Sequence, residues 1–270
     1  MFKKITAGIL VLLLSLVVFA ACGNDTTENN NGEAAHSPEI VAAFALYSEL
    51  LALFNETNNG TVAYELEFSI NMEFTSMGET MTMIMSGDIS YIQNGDDMRM
   101  LMNTDMYMFG IEMPEMIMYI ALTNGQAIWN VSVEGVDIGE FMTQDEVMEM
   151  VDEMMDQVNI PAIGINAIRS TTTSQSNGNT LTTLIIRGAD MTEFALAQAG
   201  DLVDGDDINM NIDDVTVVIT TDASNELVSM AMEMSFSFTE DGETVEASIS
   251  VEYRFIAFGD DVVIPALPAR

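Results

Sequence analysis

Apolar and polar residues alternate along much of this chain with a period of two, which is typical of β-strands with one face buried and one face in water. Residues 62–74 show the pattern most clearly, since every even position from 64 onward is apolar and most odd positions are polar. The next two runs, 81–91 and 98–108, keep the alternation but place methionine at most apolar positions. A turn sequence, Asn-Gly-Asp-Asp at 94–97, separates them. The pattern therefore predicts consecutive antiparallel strands.

Shorter alternating runs predict that the sheet continues at 115–122, 127–131, 181–187, 215–221, 226–239 and 243–258. Pro114 marks either the start of the first of these strands or a bulge, because proline has no N–H for the ladder. Residues 160–168 are predicted to be irregular and residues 170–179 to form a polar turn region. Together the runs indicate an antiparallel sheet of roughly eight or nine strands.

Three helices are predicted beside the sheet. Ser37 is a good N-cap before Pro38, and apolar residues then recur at helical spacing, which predicts a helix over 38–55. Thr143 and Glu146 form a capping box for a helical insert that carries apolar residues as far as position 154. Asp190 is read as the cap of a short third helix through about residue 199. The fold class is therefore α+β, and we expect a single domain over residues 38–268.

The N-terminus has the pattern of a bacterial lipoprotein signal. Lys3 and Lys4 precede an uncharged, Leu- and Val-rich stretch over 5–21, and small residues lead into Cys22, the single cysteine of the chain. The pattern predicts a signal peptide over 1–21, a lipidated Cys22 that carries palmitate-type acyl chains, and a flexible tether over 22–37. The protein is then expected on the extracytoplasmic face of the cell membrane, held there by its lipid anchor.

Acidic residues outnumber basic ones 43 to 7, and the formal net charge is −36. Nucleic acid is excluded as a partner, because phosphate binding needs lysine and arginine. An anionic membrane surface would also repel such a domain, so its attachment falls to the lipid anchor. We interpret the acidity as a solvated surface suited to a saline or alkaline habitat, with specific cation storage as the alternative.

Catalytic chemistry finds little support in the sequence. The single histidine, His36, lies in the predicted tether, so a Ser-His-Asp set in the folded part is not expected. Neither a phosphate-binding glycine loop nor a dinucleotide fingerprint is present. The acidic stretch over 201–214 invites a calcium interpretation, but its spacing does not match an EF-hand loop. We therefore expect a protein that is not an enzyme and that has no cofactor and no metal site.

The order of these features resembles the LolA-like superfamily of lipoprotein carriers and the related LppX/LprG lipoproteins, in particular their uncharacterised Gram-positive relatives. The resemblance covers residues 38–268 in layout and is carried mainly by the closing segment Asp260-Asp261-Val262-Val263-Ile264-Pro265. It implies a curved antiparallel sheet, an incomplete barrel, with helices that form a lid over an apolar interior. It also implies that the cavity binds lipids or lipid-linked groups.

The methionines are the most unusual feature of the folded part: the chain has 24, and 23 of them follow the initiator. They are flexible and apolar, so we interpret their runs as core or cavity wall. Soft thioethers also suit Cu(I), and Met81-x-Met83-x-Met85 or Met98-x-Met100-x-Met102 would be the copper clusters in that alternative. The main hypothesis is a lipid or other hydrophobic ligand in an apolar cavity, as in a carrier or chaperone. The alternatives are a structural or sensory cell-envelope module with no ligand and a copper-binding lipoprotein. The predicted cavity residues are Leu66, Phe68, Ile70, Met72, Met83, Met85, Met98, Met100, Met102 and Met106.

Overall fold

The structure is a computed structural model that describes residues 36–55, 61–76, 78–95, 97–108, 110–123, 126–137, 164–192, 209–240 and 243–265. One long helix, α1, spans Pro38–Asn55. Short 3-10 turns cover Ile165–Ala167 and Gly259–Asp261, and residues 188–192 begin a further helix. The strands are β1 Thr61–Ser76, β2 Glu79–Asn94, β3 Asp97–Met108, β4 Ile111–Thr123, β5 Gln126–Val133, β6 Val136–Asp137, β7 Ile168–Ser176, β8 Asn179–Ile186, β9 Asn209–Ile212, β10 Val215–Thr221, β11 Leu227–Glu240 and β12 Glu243–Phe258.

The described strands form one sheet in the order β6-β5-β4-β3-β2-β1-β12-β11-β10-β8-β7, and β9 pairs with β11 beside this path. Strands β2 to β6 pair antiparallel with their sequence neighbours. The pairs β7–β8, β8–β10, β10–β11 and β9–β11 are antiparallel as well. In the described residues the sheet is open, because β6 stands at one end of the order and β7 at the other. The predicted antiparallel sheet is thus confirmed.

The chain divides into two compact units, and the long strands β1, β2 and β12 each contribute to both. The first unit holds α1, β7 to β11 and β12 as far as Ser250, together with residues 73–80. Its apolar side chains alternate strictly: along β10 the odd residues from 215 to 221 are buried and the even ones half-buried. Helix α1 packs against β7, β8 and the first 3-10 turn. Its buried residues include Ala43, Tyr47 and Leu50.

The second unit holds β1 as far as Met72, β2 from Met81, β3 to β6 and the C-terminal part of the chain from Val251. Here β1 and β12 supply most of the deeply buried side chains: Leu66, Ile70, Met72, Val251 and Tyr253 are each no more than 2% exposed, and Ile120 of β4 is 1% exposed. Burial raises the pKa of the Tyr253 hydroxyl above its ordinary value. These two strands form the packed core of the unit.

Several predicted elements agree with the structure. The helix over 38–55 is confirmed, and the Ser37 hydroxyl accepts a hydrogen bond from the Ile40 N–H at 3.4 Å, as an N-cap does. Pro114 lies at a bulge, because the β3–β4 register shifts between Thr104 and Met106. The helical insert predicted at 143–154 and the tether before His36 lie outside the described residues.

Two local predictions were wrong. Residues 170–179 are not a turn region: β7 occupies Ile168–Ser176, and only the Asn177-Gly178 pair turns, with positive φ at both residues. Strand β7 is an edge strand that consists mainly of exposed threonines and serines, so its sequence shows no alternation of apolar and polar residues. Asp190 does not cap a helix, because the helix already begins at Gly188, and the Asp190 carboxylate instead accepts a hydrogen bond from Arg187 Nε at 2.9 Å. Strands β6, β7 and β9 raise the described total above the predicted eight or nine.

Candidate functional site

The register of β2 to β5 gathers the methionine runs on one face of the second unit. Directly paired residues of an antiparallel ladder point to the same side, so the partners can be followed from strand to strand. Tyr91 pairs with Met100, which pairs with Ile120, and Ile89 pairs with Met102, which pairs with Met118. We call this side the methionine face. It comprises Met83, Met85, Gly87, Ile89, Tyr91, Gln93, Met98, Met100, Met102, Thr104, Met106, Met108, Ile111, Met113, Met116, Met118, Ile120, Leu122, Val131 and Val133.

The even residues of β1 continue this face. Tyr64 of β1 stacks on Tyr91 of β2, with ring centroids 5.1 Å apart and ring planes at 25°. This contact places the alternate side chains of β1 on the same side as the methionines, since residues two apart on a strand share a face. The Tyr91 hydroxyl donates a 2.6 Å hydrogen bond to Oε1 of Gln93, two residues further along. Two aromatic rings therefore link the packed strand β1 to the methionine-bearing strands.

Burial divides the ten predicted cavity residues into two groups. The β1 residues, at 66, 68, 70 and 72, are 0–4% exposed, and Met83 of β2 is 6% exposed, so all five pack as core side chains. The other five are half-buried: Met85, Met98, Met100, Met102 and Met106. The sheet register brings all ten to one face, and a partly open apolar surface lies over β2 and β3. That each of them touches a ligand remains a prediction.

Two small residues interrupt the methionines at the middle of β2 and β3. Gly87 pairs with Thr104, and a Cβ atom at Gly87 would overlap the backbone carbonyl of Asn103. The two strands approach too closely there for any side chain at position 87. Thr104 is 2% exposed, and its Oγ1 has no hydrogen-bond partner within the described part of the chain. An unpartnered hydroxyl therefore lies buried on a largely apolar face, which costs free energy.

No charged side chain belongs to the methionine face in the part of the chain that the structure describes. Charges occupy the opposite face instead. Asn103 donates to Oδ2 of Asp88 at 2.7 Å, and Arg254 Nε donates to Oε2 of Glu67 at 3.0 Å. A ligand on the methionine face would accordingly meet apolar groups and thioethers and no cation.

The closing segment of the chain covers part of the opposite face. Val262 and Ile264 are each 6% exposed, whereas Val263 between them is 74% exposed. Ile264 packs with Tyr119 and Ala121, and the half-buried Ile92 and Leu101 lie against this cluster. The Asp-Asp-Val-Val-Ile-Pro sequence thus has a structural role, since it seals an apolar patch of β2, β3 and β4 on the side away from the methionines.

The first unit carries a polar cluster around Gly188. The Asp214 carboxylate accepts hydrogen bonds from the Gly188 N–H at 3.1 Å and from the Arg169 guanidinium. Both contacts hold the pKa of Asp214 below its ordinary value, and the Gly188 N–H has the larger effect. The Thr192 hydroxyl donates to the Gly188 carbonyl at 2.9 Å and accepts from the Ile212 N–H at 3.0 Å. The cluster anchors the start of the helix at 188 to the connection between β9 and β10.

Further contacts extend this cluster. Arg187 Nη2 donates to the Asn166 carbonyl at 2.6 Å, and His36 Nε2 donates to Oδ1 of Asn166 at 2.7 Å. Hence His36, expected at the end of a free tether, contacts the folded unit. Among the described residues, no three His, Cys, Asp or Glu side chains are grouped to hold a metal ion. Asp214, from the acidic stretch considered for calcium, is engaged with an arginine and a backbone amide.

Sequence reasoning overlooked Met113, Met116, Met118 and Thr104 as members of the face. The bulge at Pro114 breaks the alternation of β4, so Met113 and Met116 share a face although they are three positions apart. A proline inside a methionine-rich run was the available signal. Cys22, the predicted lipidation site, lies outside the described residues. None of the described helices is long and apolar enough to cross a lipid bilayer.

No family model and no curated protein sequence matches the chain. Solved structures give weak likenesses. The ywiB protein from Bacillus subtilis is 6% identical, with 72% of this chain and 94% of that chain covered and a TM-score of 0.19. A β-barrel-like DUF1849 protein from Brucella abortus is 7% identical, with coverage of 72% and 98% and a TM-score of 0.22. A DUF1329 family protein from Desulfovibrio piger is 8% identical, with coverage of 81% and 94% and a TM-score of 0.23. Scores this low support no inference about fold or function, and membership of the LolA-like superfamily stays a prediction.

Proposed function

We propose that this protein binds an uncharged hydrophobic ligand, such as an acyl chain or a neutral lipid, on the methionine face of its second unit. The observation that carries the proposal is a largely apolar sheet face on which Met85, Met98, Met100, Met102 and Met106 are only half-buried. In this proposal the protein is a lipid-anchored, extracytoplasmic and non-enzymatic carrier or chaperone. A helical lid over this face, which the resemblance implies, is part of the proposal.

Half-buried apolar surface is costly to leave in water, at about 25 cal/mol for each Å². A ligand that covers the methionine face recovers this free energy, and the side chains suit it because methionine is unbranched and adapts to varied shapes. We therefore expect the site to accept acyl chains of different length and branching, since flexible thioethers do not impose one ligand shape.

Charge narrows the class of ligand. The described part of the methionine face carries no cation, and the whole chain has a net charge of −36. A carboxylate or phosphate on the ligand would lose its water without gaining a partner, which is unfavourable. The buried Thr104 hydroxyl, by contrast, lacks a partner and would suit one neutral hydrogen-bonding group, such as an ester carbonyl.

Fluorescence titration with N-phenyl-1-naphthylamine, an uncharged apolar fluorophore, tests the proposal on protein purified from cells that express the whole chain. We expect saturable binding that the double variant Met100→Gln with Met102→Gln weakens about tenfold, or about 1.4 kcal/mol. Glutamine has nearly the length of methionine but prefers water, so the change removes apolar character with little change in shape.

The matched control places the same substitution on the other side of the sheet. Ile84 and Ile128 are 39% and 44% exposed on the opposite face, and Ile84→Gln with Ile128→Gln should leave the probe affinity unchanged. Equal losses in both double variants, or no saturable binding by the wild type, would refute the proposal and favour a structural envelope module. Cis-parinaric acid, an anionic probe, should bind more weakly than the neutral one.

A further inference from the structure

Three methionines lie side by side across three neighbouring strands. Met85 of β2 pairs with Met106 of β3, and Met106 pairs with Met113 of β4. We call this set the methionine row. No other row of the described methionine face contains three methionines: the row beside it holds Met83 and Met108, and the remaining rows across β2, β3 and β4 hold at most two.

The bulge at Pro114 creates the methionine row. Without an extra residue, the pairing of Thr104 with Met116 would place residue 114 opposite Met106. The register shift instead pairs Met106 with Met113. A bulge of this kind is a designed local feature of a sheet and often re-aims a side chain. Proline at 114 suits it, because the bulged strand gives up a ladder hydrogen bond there.

Methionines paired across strands lie closer together than methionines two apart on one strand, which the sequence suggested as copper clusters. The paired methionines are therefore better placed to share an ion. Residues two apart on a strand lie about 6.7 Å apart, whereas directly paired residues have Cβ atoms about 4.5–5.5 Å apart. Each methionine has three rotatable side-chain bonds, so the sulfurs of Met85 and Met113 can lean toward that of Met106 between them. The register thus allows three thioethers to reach one point above β3.

We propose that the methionine row is a binding site for a monovalent soft cation, Cu(I). Thioether sulfur is a soft, uncharged donor that selects Cu(I) over hard or divalent ions. The row is open to solvent, since Met85 and Met106 are half-buried and Met113 is 39% exposed. The exposed carboxylates of Asp105 and Glu112, adjacent to the row in sequence, and the net charge of −36 attract a cation to this end of the sheet.

Competition with bicinchoninate for Cu(I), in anaerobic buffer with ascorbate, tests the site on the protein from cells that express the whole chain. We expect the wild type to withdraw one Cu(I) from the chelator. The triple variant Met85→Leu, Met106→Leu and Met113→Leu should bind Cu(I) at least 100-fold more weakly, because leucine has a similar volume and no sulfur. X-ray absorption at the copper edge should show sulfur ligands alone, and Ag(I) should bind competitively as a redox-inert probe.

A second triple variant on the same face controls for the number of thioethers. This variant carries three changes outside the methionine row: Met98→Leu, Met116→Leu and Met118→Leu. Its affinity for Cu(I) should stay within threefold of that of the wild type. No copper transfer to the wild type, or equal losses in the two triple variants, would overturn the assignment. Met100→Gln with Met102→Gln, the variant that tests the hydrophobic ligand site, leaves all three methionines of the row in place and should still bind Cu(I), so failure of the copper site and failure of the hydrophobic ligand site are distinguishable.

Discussion

Strand β10 of the first unit and strand β3 of the second unit carry the same alternation of apolar and polar residues, and their burial differs. Val215, Val217 and Ile219 of β10 are 0–2% exposed. The corresponding residues of β3, among them Met98 and Met100, are half-buried. The period of a strand specifies which side chains share a face. It does not specify whether another part of the protein covers that face.

The residue types of the two strands fit this difference. Valine and isoleucine are branched at Cβ and stiff at χ1, so they pack into one well-defined arrangement. Methionine is flexible and fills irregular or changing space. In β10 the stiff residues line a closed core, and in β3 methionine lines a face that stays partly open. Methionine is not confined to open faces, since Met230, Met232 and Met234 of β11 are 5–7% exposed in the core of the first unit. The contrast is therefore one between two strands and fits an adaptable surface over β3.

The largest expected effects come from two glycines, one in each unit. A Cβ atom at Gly87 would overlap the Asn103 backbone, and a Cβ atom at Gly188 would overlap the backbone around Ile212 and Asp213. Gly87→Ala and Gly188→Ala should each lower the free energy of unfolding by about 3 kcal/mol or more, since backbone atoms cannot move aside as a side chain does. Urea denaturation followed by circular dichroism measures the change.

Gly164→Ala is the matched control for both glycines. Gly164 has a φ of −65° and a ψ of 151°, which any residue adopts, and no atom lies within 4 Å of a Cβ placed there. This variant should be neutral or more stable by up to about 1 kcal/mol, because alanine narrows the unfolded ensemble. If Gly87→Ala were as stable as this control, the close approach of β2 and β3 would be contradicted.

A pair of truncations tests the difference in burial directly. Leu184 of β8, in the first unit, is 0% exposed, and Leu184→Ala should cost about 3 kcal/mol, as typical fully buried leucines do. Met100 of β3 is half-buried, and Met100→Ala should cost about 1 kcal/mol or less, since less surface returns to water. Thermal and urea denaturation of both variants provide the two numbers. Equal costs would show that the methionine face is covered as fully as the core of the first unit.

The alternation in the sequence was sufficient to predict most of the sheet. Val215–Thr221 and Glu243–Phe258 were predicted with the bounds they have in the structure, because their buried apolar residues recur at every second position over most of each strand. Helix α1 was predicted equally well from its N-cap and spacing. Strand β7 was missed because its exposed serines and threonines leave no periodic apolar signal.

The candidate site could be predicted only in part. Periodicity grouped the methionines of β2 and β3, but register is a relation between strands that the pattern within one strand does not contain. The Met85–Met106–Met113 row therefore became visible only with the pairing of β3 and β4 and the bulge between them. The orphan hydroxyl of Thr104 and the tight approach at Gly87 likewise depend on neighbours across the sheet.

The smallest expected effect concerns the polar cluster of the first unit, which has no counterpart on the methionine face. The Gly188 N–H and the Arg169 guanidinium lower the pKa of Asp214 from its ordinary value of 3.8. A depressed folded-state pKa stabilises the protein at pH values above the unfolded value and loses that effect as the pH falls through the folded value. Asp214→Asn should therefore lower the unfolding temperature at pH 6, and the difference from wild type should shrink as the pH falls below about 4.

Asp213→Asn is the control, because it removes the same charge one residue away without removing either contact. Calorimetric scans of both variants across this pH range make the comparison. A loss in Asp214→Asn that persists undiminished at pH 2 would show that the Asp214 charge has no part in the stabilisation. A loss that Asp213→Asn reproduces in full would show that net charge, and not the two contacts of Asp214, is responsible.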